Sequence, residues 1–207
     1  MKLEHLGCRP RIHESARIAP NAVICGDVSI GARCSIGFGV VVTAESGPIT
    51  IGEDCVVMDT AVLRGVRGNP LKIGNRVLVG PRAYLSGCEV EDNVFLATGT
   101  TVFNGAKVGT GSEVRINGVV HLRTELPPNT TVPIGWIAVG NPVEILAPNQ
   151  HEQIWSVQEP LDFPGYVFGV PRPPEGELIM PTVMPRYAAV LRRHANDRVL
   201  RDPEVER

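Results

Sequence analysis

Residues 12–42 read IHESARIAPNAVICGDVSIGARCSIGFGVVV, and in this stretch Ile12, Ile18, Ile24, Ile30, Ile36 and Val42 recur at every sixth position. A period of six matches neither the turn of an α-helix nor the simple alternation of a half-buried strand. It marks a β-solenoid in which three hexapeptides close one triangular coil and like side chains stack into a continuous core. The beat resumes as Ile51, Val57 and Leu63, then Ile73, Val79 and Leu85, then Val90, Leu96, Val102, Val108, Val114 and Val120. The fourth residue after each aliphatic is nearly always small, as at Ala16, Ala22, Cys34, Cys55, Ala61, Ala83 and Ala106, which suits an inner corner.

The expected fold class is therefore all-β: a parallel solenoid of about six coils, near residues 12–29, 30–50, 51–72, 73–89, 90–107 and 108–125. Interruptions of the beat place short excursions at Thr43–Thr50 and Arg64–Lys72. Residues 1–11 are expected to cover the first edge, because an open edge invites aggregation. Beyond Leu126 the periodicity is expected to end. This divides the chain into a β-helix domain, 1–147, and a C-terminal extension, 148–207. In the extension, Asn149 and Glu152 resemble a capping box ahead of a short helix, HEQIWSVQ. Residues 160–181 read as a Pro- and Gly-rich connector. A second helix from about Thr182 to Arg201 has Met184, Tyr187, Ala188, Leu191 and Ala195 on one face, suited to packing on a solenoid flank.

Across 207 residues the formal net charge is −2, so no global field favours nucleic acid or a membrane surface. Neither a secretory apolar region nor a membrane-length run is present, and the expected location is cytoplasmic. The five cysteines form no CxxC pair; Cys34 and Cys55 fall at one corner of successive coils and read as buried thiols. His5, His13, His151 and His194 show no spacing expected of metal ligands.

The segments GPITIGEDCVVMDTAVLRG (47–65) and LKIGNRVLVGPRAYLSGCEVEDNVFLATGTTVF (71–103), with the later IAVGNPVEIL, carry a family resemblance. The chain resembles the left-handed β-helix superfamily shared by hexapeptide acyltransferases and γ-class carbonic anhydrases, and is more similar to the latter over roughly residues 10–147. The left hand comes from that resemblance. The resemblance implies a homotrimer whose metal is held at the subunit interface by three histidines, two from one subunit and one from its neighbour. At those three positions this chain has Arg64, Pro81 and Ser86. A guanidinium is always charged, proline offers no side-chain donor, and a serine hydroxyl is a weak ligand, so none replaces a neutral imidazole. The expectation is no metal at these positions and no CO2 hydration, which needs a metal-activated water.

Of the family's surrounding acidic groups, Glu45 and Asp59 remain, and the resemblance places both near Arg64. The residue after each aliphatic faces outward, and on one face this column reads Cys25, Thr43, Arg64, Ser86, Phe103, His121. Two functions follow. One is a metal-free γ-carbonic-anhydrase-like trimer that binds a small anion or serves in assembly. The other is an acyl-CoA-dependent acyltransferase with His121 as general base, in a groove with Phe103, Arg115 and Asn117; its cofactor would be a CoA ester.

Overall fold

The computed structural model describes residues 1–174 and 176–201. Glu175, within the expected connector, and 202–207, at the end of the expected extension, lie outside the described residues. Among the described residues the strands form three sheets, one of ten strands and two of seven, and successive strands of one sheet come from successive coils. The ten-stranded sheet runs from Glu144–Leu146 through Ile137–Val139, Val119–Val120, Thr101–Val102, Tyr84–Ser86, Val62–Gly65, Val41–Ala44, Val23–Cys25 and Lys2–Glu4 to Arg198–Val199. Only its two outermost pairings are antiparallel.

The six-residue beat becomes vertical stacking. Ile24, Val42, Leu63, Leu85, Val102, Val120 and Ala138 are in register from coil to coil, and each is 0% exposed. Their outward neighbours form a second row in the same register: Cys25 opposes Thr43, Thr43 opposes Arg64, and Arg64 opposes Ser86. Corner residues often take the left-handed backbone conformation, as at Arg33, Asp54, Arg76 and Asn93 on four successive coils. The cost of that conformation is offset by side-chain bonds between corners, such as Arg33 to Asp54 at 2.6 Å and Arg76 to Asn93 at 2.7 Å. Cys34 and Cys55 are free thiols, each donating to a backbone carbonyl of the next coil.

The coils extend beyond those read from the periodicity at both ends. After Leu126 the beat continues at Val132 and Ala138, both fully buried. At the start, Lys2–Glu4 is itself a strand parallel to Val23–Cys25, and its outer edge is closed by Arg198–Val199 rather than by the lead-in.

Among the described residues the extension contains three α-helices: α1 (His151–Gln158), α2 (Phe163–Phe168) and α3 (Met180–Leu191). Three expectations need correction here. The capping box does not form: Gln150 is the N-cap of α1 and its side chain instead accepts from the Ala147 amide. The expected connector contains α2, started by Pro164 in its first turn. And α3 ends at Leu191, with a 3-10 turn over Arg192–Asn196, because the chain must extend to pair with Lys2–Glu4. The inner face of α3 is set by Val183, Tyr187 and Val190, spaced i, i+4, i+7; Met184 and Leu191 remain exposed. No helix among the described residues is long and apolar enough to cross a membrane.

Candidate functional site

Two short excursions position the polar centre of the molecule. Glu45 follows the strand Val41–Ala44, and Arg64 lies one coil on, in Val62–Gly65. Where the excursions meet, Gly65 and Gly47 pass so closely that a Cβ on Gly65 would lie 2.2 Å from the Gly47 carbonyl oxygen. Glycine permits that approach, and with it the pairing of the two side chains. The Arg64 Nη2 group donates to Glu45 Oε2 and, at 2.9 Å, to the Tyr187 hydroxyl on α3. Glu45 is 5% exposed. A carboxylate this buried depends on the guanidinium for its charge balance.

Around this pair is a cavity of about 530 Å³ between the ten-stranded sheet and the C-terminal helices. Glu45, Arg64, Tyr84, Ser86 and Phe103 form its floor. Phe163, Tyr166, Phe168 and Tyr187 form the opposite wall, with Phe168 edge-on to both Phe163 and Tyr187. Tyr166 donates to Asn69 Oδ1 at 2.8 Å, which fastens α2 to the second excursion. Arg67, Arg186 and Arg193 are exposed around the cavity. A pocket with apolar walls, one half-buried guanidinium and a cationic rim suits a small anion with an apolar body.

The structure brings together Arg64, Glu45, Ser86 and Phe103. It places the other expected residues elsewhere in the chain. Pro81 lies in a separate groove with Arg115, among the exposed apolar side chains Met58, Phe95, Ile116 and Ile134. Asp59 serves a turn, its carboxylate accepting from the Phe38 amide at 2.7 Å. Asn117 is a left-handed corner residue. His121 sits beside Phe103, ring centroids 5.7 Å apart, but opens into a smaller pocket roofed by Trp155, Phe163 and Arg172. Its Nδ1 is buried without a hydrogen-bond partner among the described residues.

Burial lowers the pKa of His121 from its ordinary value. The unfolded chain therefore binds this proton at higher pH than the folded chain does. Stability from this source is intact above the unfolded histidine pKa of about 6.5 and is lost as pH falls toward the lowered folded value. Comparing thermal midpoints of the parent and His121→Gln across that window should show a shallower loss in the variant. Equal slopes would mean that His121 titrates as it does in the unfolded chain.

Tyr187 falls on the helix face expected to pack on the solenoid, but Tyr166 and α2, which complete the cavity, carry no periodic signal, so sequence reasoning missed them. It also dismissed a second polar cluster. His5, Cys25, His194 and Asp197 come together where the two ends of the described chain meet. Asp197 Oδ1 is 2.5 Å from His5 Nδ1, and Oδ2 is 2.7 Å from His194 Nδ1. The Cys25 thiol donates to Oδ2 at 3.4 Å. Burial, reinforced by the Asp197 carboxylate, pushes that thiol up to about 12.

The chain matches two family models, "Bacterial transferase hexapeptide (six repeats)" over residues 9–44 and "Hexapeptide repeat of succinyl-transferase" over residues 70–104. It is 34% identical over 148 residues to a probable carbonic anhydrase of Methanocaldococcus jannaschii, covering 72% of this chain and 89% of that one. It is 30% identical over 151 residues to the mitochondrial γ carbonic anhydrase 1 of Arabidopsis thaliana, covering 70% of this chain. The match spans only about half of that plant protein, 53%. Among solved structures, a putative acetyltransferase of Bacillus cereus superposes with a TM-score of 0.59 at 25% identity, over 74% of this chain and 87% of that one. The repeat, the parallel coils and these identities agree: the chain is a left-handed β-helix and belongs to the γ-carbonic anhydrase family of hexapeptide-repeat proteins.

Proposed function

We propose that this chain is a γ-carbonic-anhydrase-like homotrimer without the family's metal chemistry, and that its covered cavity binds a small anionic ligand. The observation that carries this reading is Arg64: it stands where the resemblance puts a metal ligand, and its guanidinium is engaged by Glu45 and Tyr187 on the cavity floor. The residues present do not fit the family metal. Arg64 is a permanent cation, Pro81 has no donor atom, and Ser86 alone offers one weak oxygen. In its place the Arg64–Glu45 pair sits on the floor and Arg67, Arg186 and Arg193 offer positive charge at the rim, which suits carboxylates, phosphates or the acidic end of an acyl conjugate.

The trimer draws support from the Pro81 groove. Met58, Phe95, Ile116 and Ile134 expose an apolar surface in a groove that shares no lining residue with the covered cavity. Such a surface calls for a partner, and a contact between unlike faces of identical chains closes into a ring. The proposed location is cytoplasmic.

The test is calorimetric titration of the full chain with small mono- and dicarboxylates, inorganic phosphate and acetyl-CoA, with the mass followed by light scattering. At least one of these anions should bind to the parent, and Arg186→Glu, which reverses an exposed rim charge, should weaken it. The scattering mass should be three times the 22.3 kDa of the chain. CO2 hydration should stay at the buffer rate. Failure of the whole panel to bind, or a monomeric mass, would overturn the corresponding part of the proposal.

The acyltransferase reading rests on His121, whose buried Nδ1 has no partner, together with the likeness to the putative acetyltransferase. It demands that His121→Gln abolish acetyl-CoA consumption while the protein stays folded. The aromatic roof over His121 leaves less room for an acceptor than the Arg64 cavity does, so anion binding is the preferred reading.

A further inference from the structure

We infer that His5, Cys25, His194 and Asp197 form a binding site for a zinc-type divalent cation that fastens the C-terminal segment to the first coils of the solenoid. Cys25 belongs to the outward column that contains Arg64, two coils away, so this site is distinct from the family's metal position. The inference does not depend on the anion-binding reading.

The spacing suits a closed four-ligand set. One potential ligand atom from each residue lies within 4.8 Å of the other three. Bonds of about 2.0–2.3 Å to one ion would put tetrahedral ligands roughly 3.4 Å apart. His5 Nδ1 lies 2.5 Å from Asp197 Oδ1, His194 Nδ1 lies 2.7 Å from Oδ2, and Cys25 Sγ lies 3.4 Å from Oδ2 and 4.0 Å from His194 Nδ1, so the sulfur contacts sit at or above that value and the two carboxylate–imidazole contacts below it. The two imidazoles stack at 4.2 Å with their planes 21° apart, and both turn Nδ1 toward Asp197.

The donor count favours an ion over a hydrogen-bond network. His5 Nε2 lies 3.3 Å from the Glu45 carbonyl oxygen, which only accepts, so the hydrogen of His5 belongs on Nε2. Its Nδ1 then presents a lone pair to a carboxylate oxygen. A cation bound by both groups resolves the conflict, and a ligating histidine commonly donates its other N–H to a backbone carbonyl in this way. The set is also charge-matched, because a thiolate and a carboxylate balance a dication. One sulfur and two imidazoles select zinc or cobalt over magnesium or calcium.

A Cys-His-Asp catalytic triad is a poor alternative. Cys25 and Asp197 approach the same nitrogen of His194, whereas a relay needs one ring nitrogen for each. Four protein ligands leave no open position for water, so the ion's role is structural. It would join His5 and Cys25, at the start of the chain, to His194 and Asp197, immediately after α3 and its Tyr187. Ion occupancy would thus stabilise the wall of the Arg64 cavity.

Full-length protein stripped by chelator under reducing conditions and titrated with Co2+ should take up one equivalent and develop a near-ultraviolet thiolate-to-cobalt band that Zn2+ displaces. Cys25→Ser should remove the band. His194→Gln and Asp197→Asn should weaken binding by more than the roughly 10–100-fold typical of losing an outer-shell partner. His121→Gln should leave it unchanged. Circular dichroism checks that each variant folds. If Cys25→Ser does not fold, His194→Gln carries the test, because that side chain is partly exposed. No cobalt uptake by the parent, uptake without a thiolate band, or affinity unaffected by His194→Gln would overturn the inference.

Discussion

Arg64→Ala should cost the protein roughly 3–5 kcal/mol of stability, because it leaves the buried carboxylate of Glu45 without its counter-charge. The arginine side chain keeps 22% of its exposure, so water can soften the loss and the lower end of that range is expected. For a chain of this size each kcal/mol moves the thermal midpoint by about 2–4 °C. Tyr187 loses a charge-assisted bond at the same time, so the gap between α3 and the sheet should open and ligand binding should fail. Arg64→Met with Glu45→Gln removes both charges while retaining volume, and should recover much of the loss. If Arg64→Ala melts with the parent, the pair contributes nothing and the cavity floor is not held by charge.

Much of this architecture was legible because stacking in a solenoid enforces a strict local rule. Each coil must supply the same kind of side chain at the same place, so Ile24, Val42, Leu63 and Leu85 announce one another at fixed spacing. The rule blurs at Val132 and Ala138, where prolines and the exposed Ile134 and Trp136 interrupt the pattern, although the backbone keeps its register. The outward column was legible for the same geometric reason, and it brought Arg64, Ser86 and Phe103 to one floor.

What closes that floor was only partly legible. Tyr187 was legible as part of an apolar helix face but its partner Arg64 was not, and the position of Tyr166 depends on how the extension folds back, a path set by individual contacts such as Tyr166 to Asn69. The four-residue cluster was less visible still. His5 and Asp197 lie 192 positions apart and meet only because Arg198–Val199 pairs with Lys2–Glu4. No ligand spacing along the chain encodes a site assembled from its two ends. Asp59 and Arg115 show the converse: proximity to the motif in sequence placed them on other faces of the triangular coil.

Leu63→Ala should cost about 2–5 kcal/mol and should also weaken the Arg64 pair, although Leu63 touches no ligand position. Leu63 is fully buried between Val42 on one coil and Leu85 on the next. Its side chain therefore contributes to both inter-coil interfaces, and the cavity left by alanine faces two neighbours. Ile12→Ala removes a similar volume, but Ile12 is 7% exposed and among the described residues pairs in its sheet only with Ile30, so the loss there should be smaller. Because neighbouring coils stabilise each other in one dimension, a defect at the centre uncouples two halves, whereas one at the end frays a terminus. Calorimetry should accordingly show a broadened or divided transition for Leu63→Ala and a single sharp one for Ile12→Ala. Leu63 precedes Arg64 on the same strand, so its loss should also loosen the backbone that aims the guanidinium at Glu45. The losses of Leu63→Ala and Arg64→Ala should then fail to add; a double variant that equals the sum to within about 0.5 kcal/mol would show that core and cavity floor are independent.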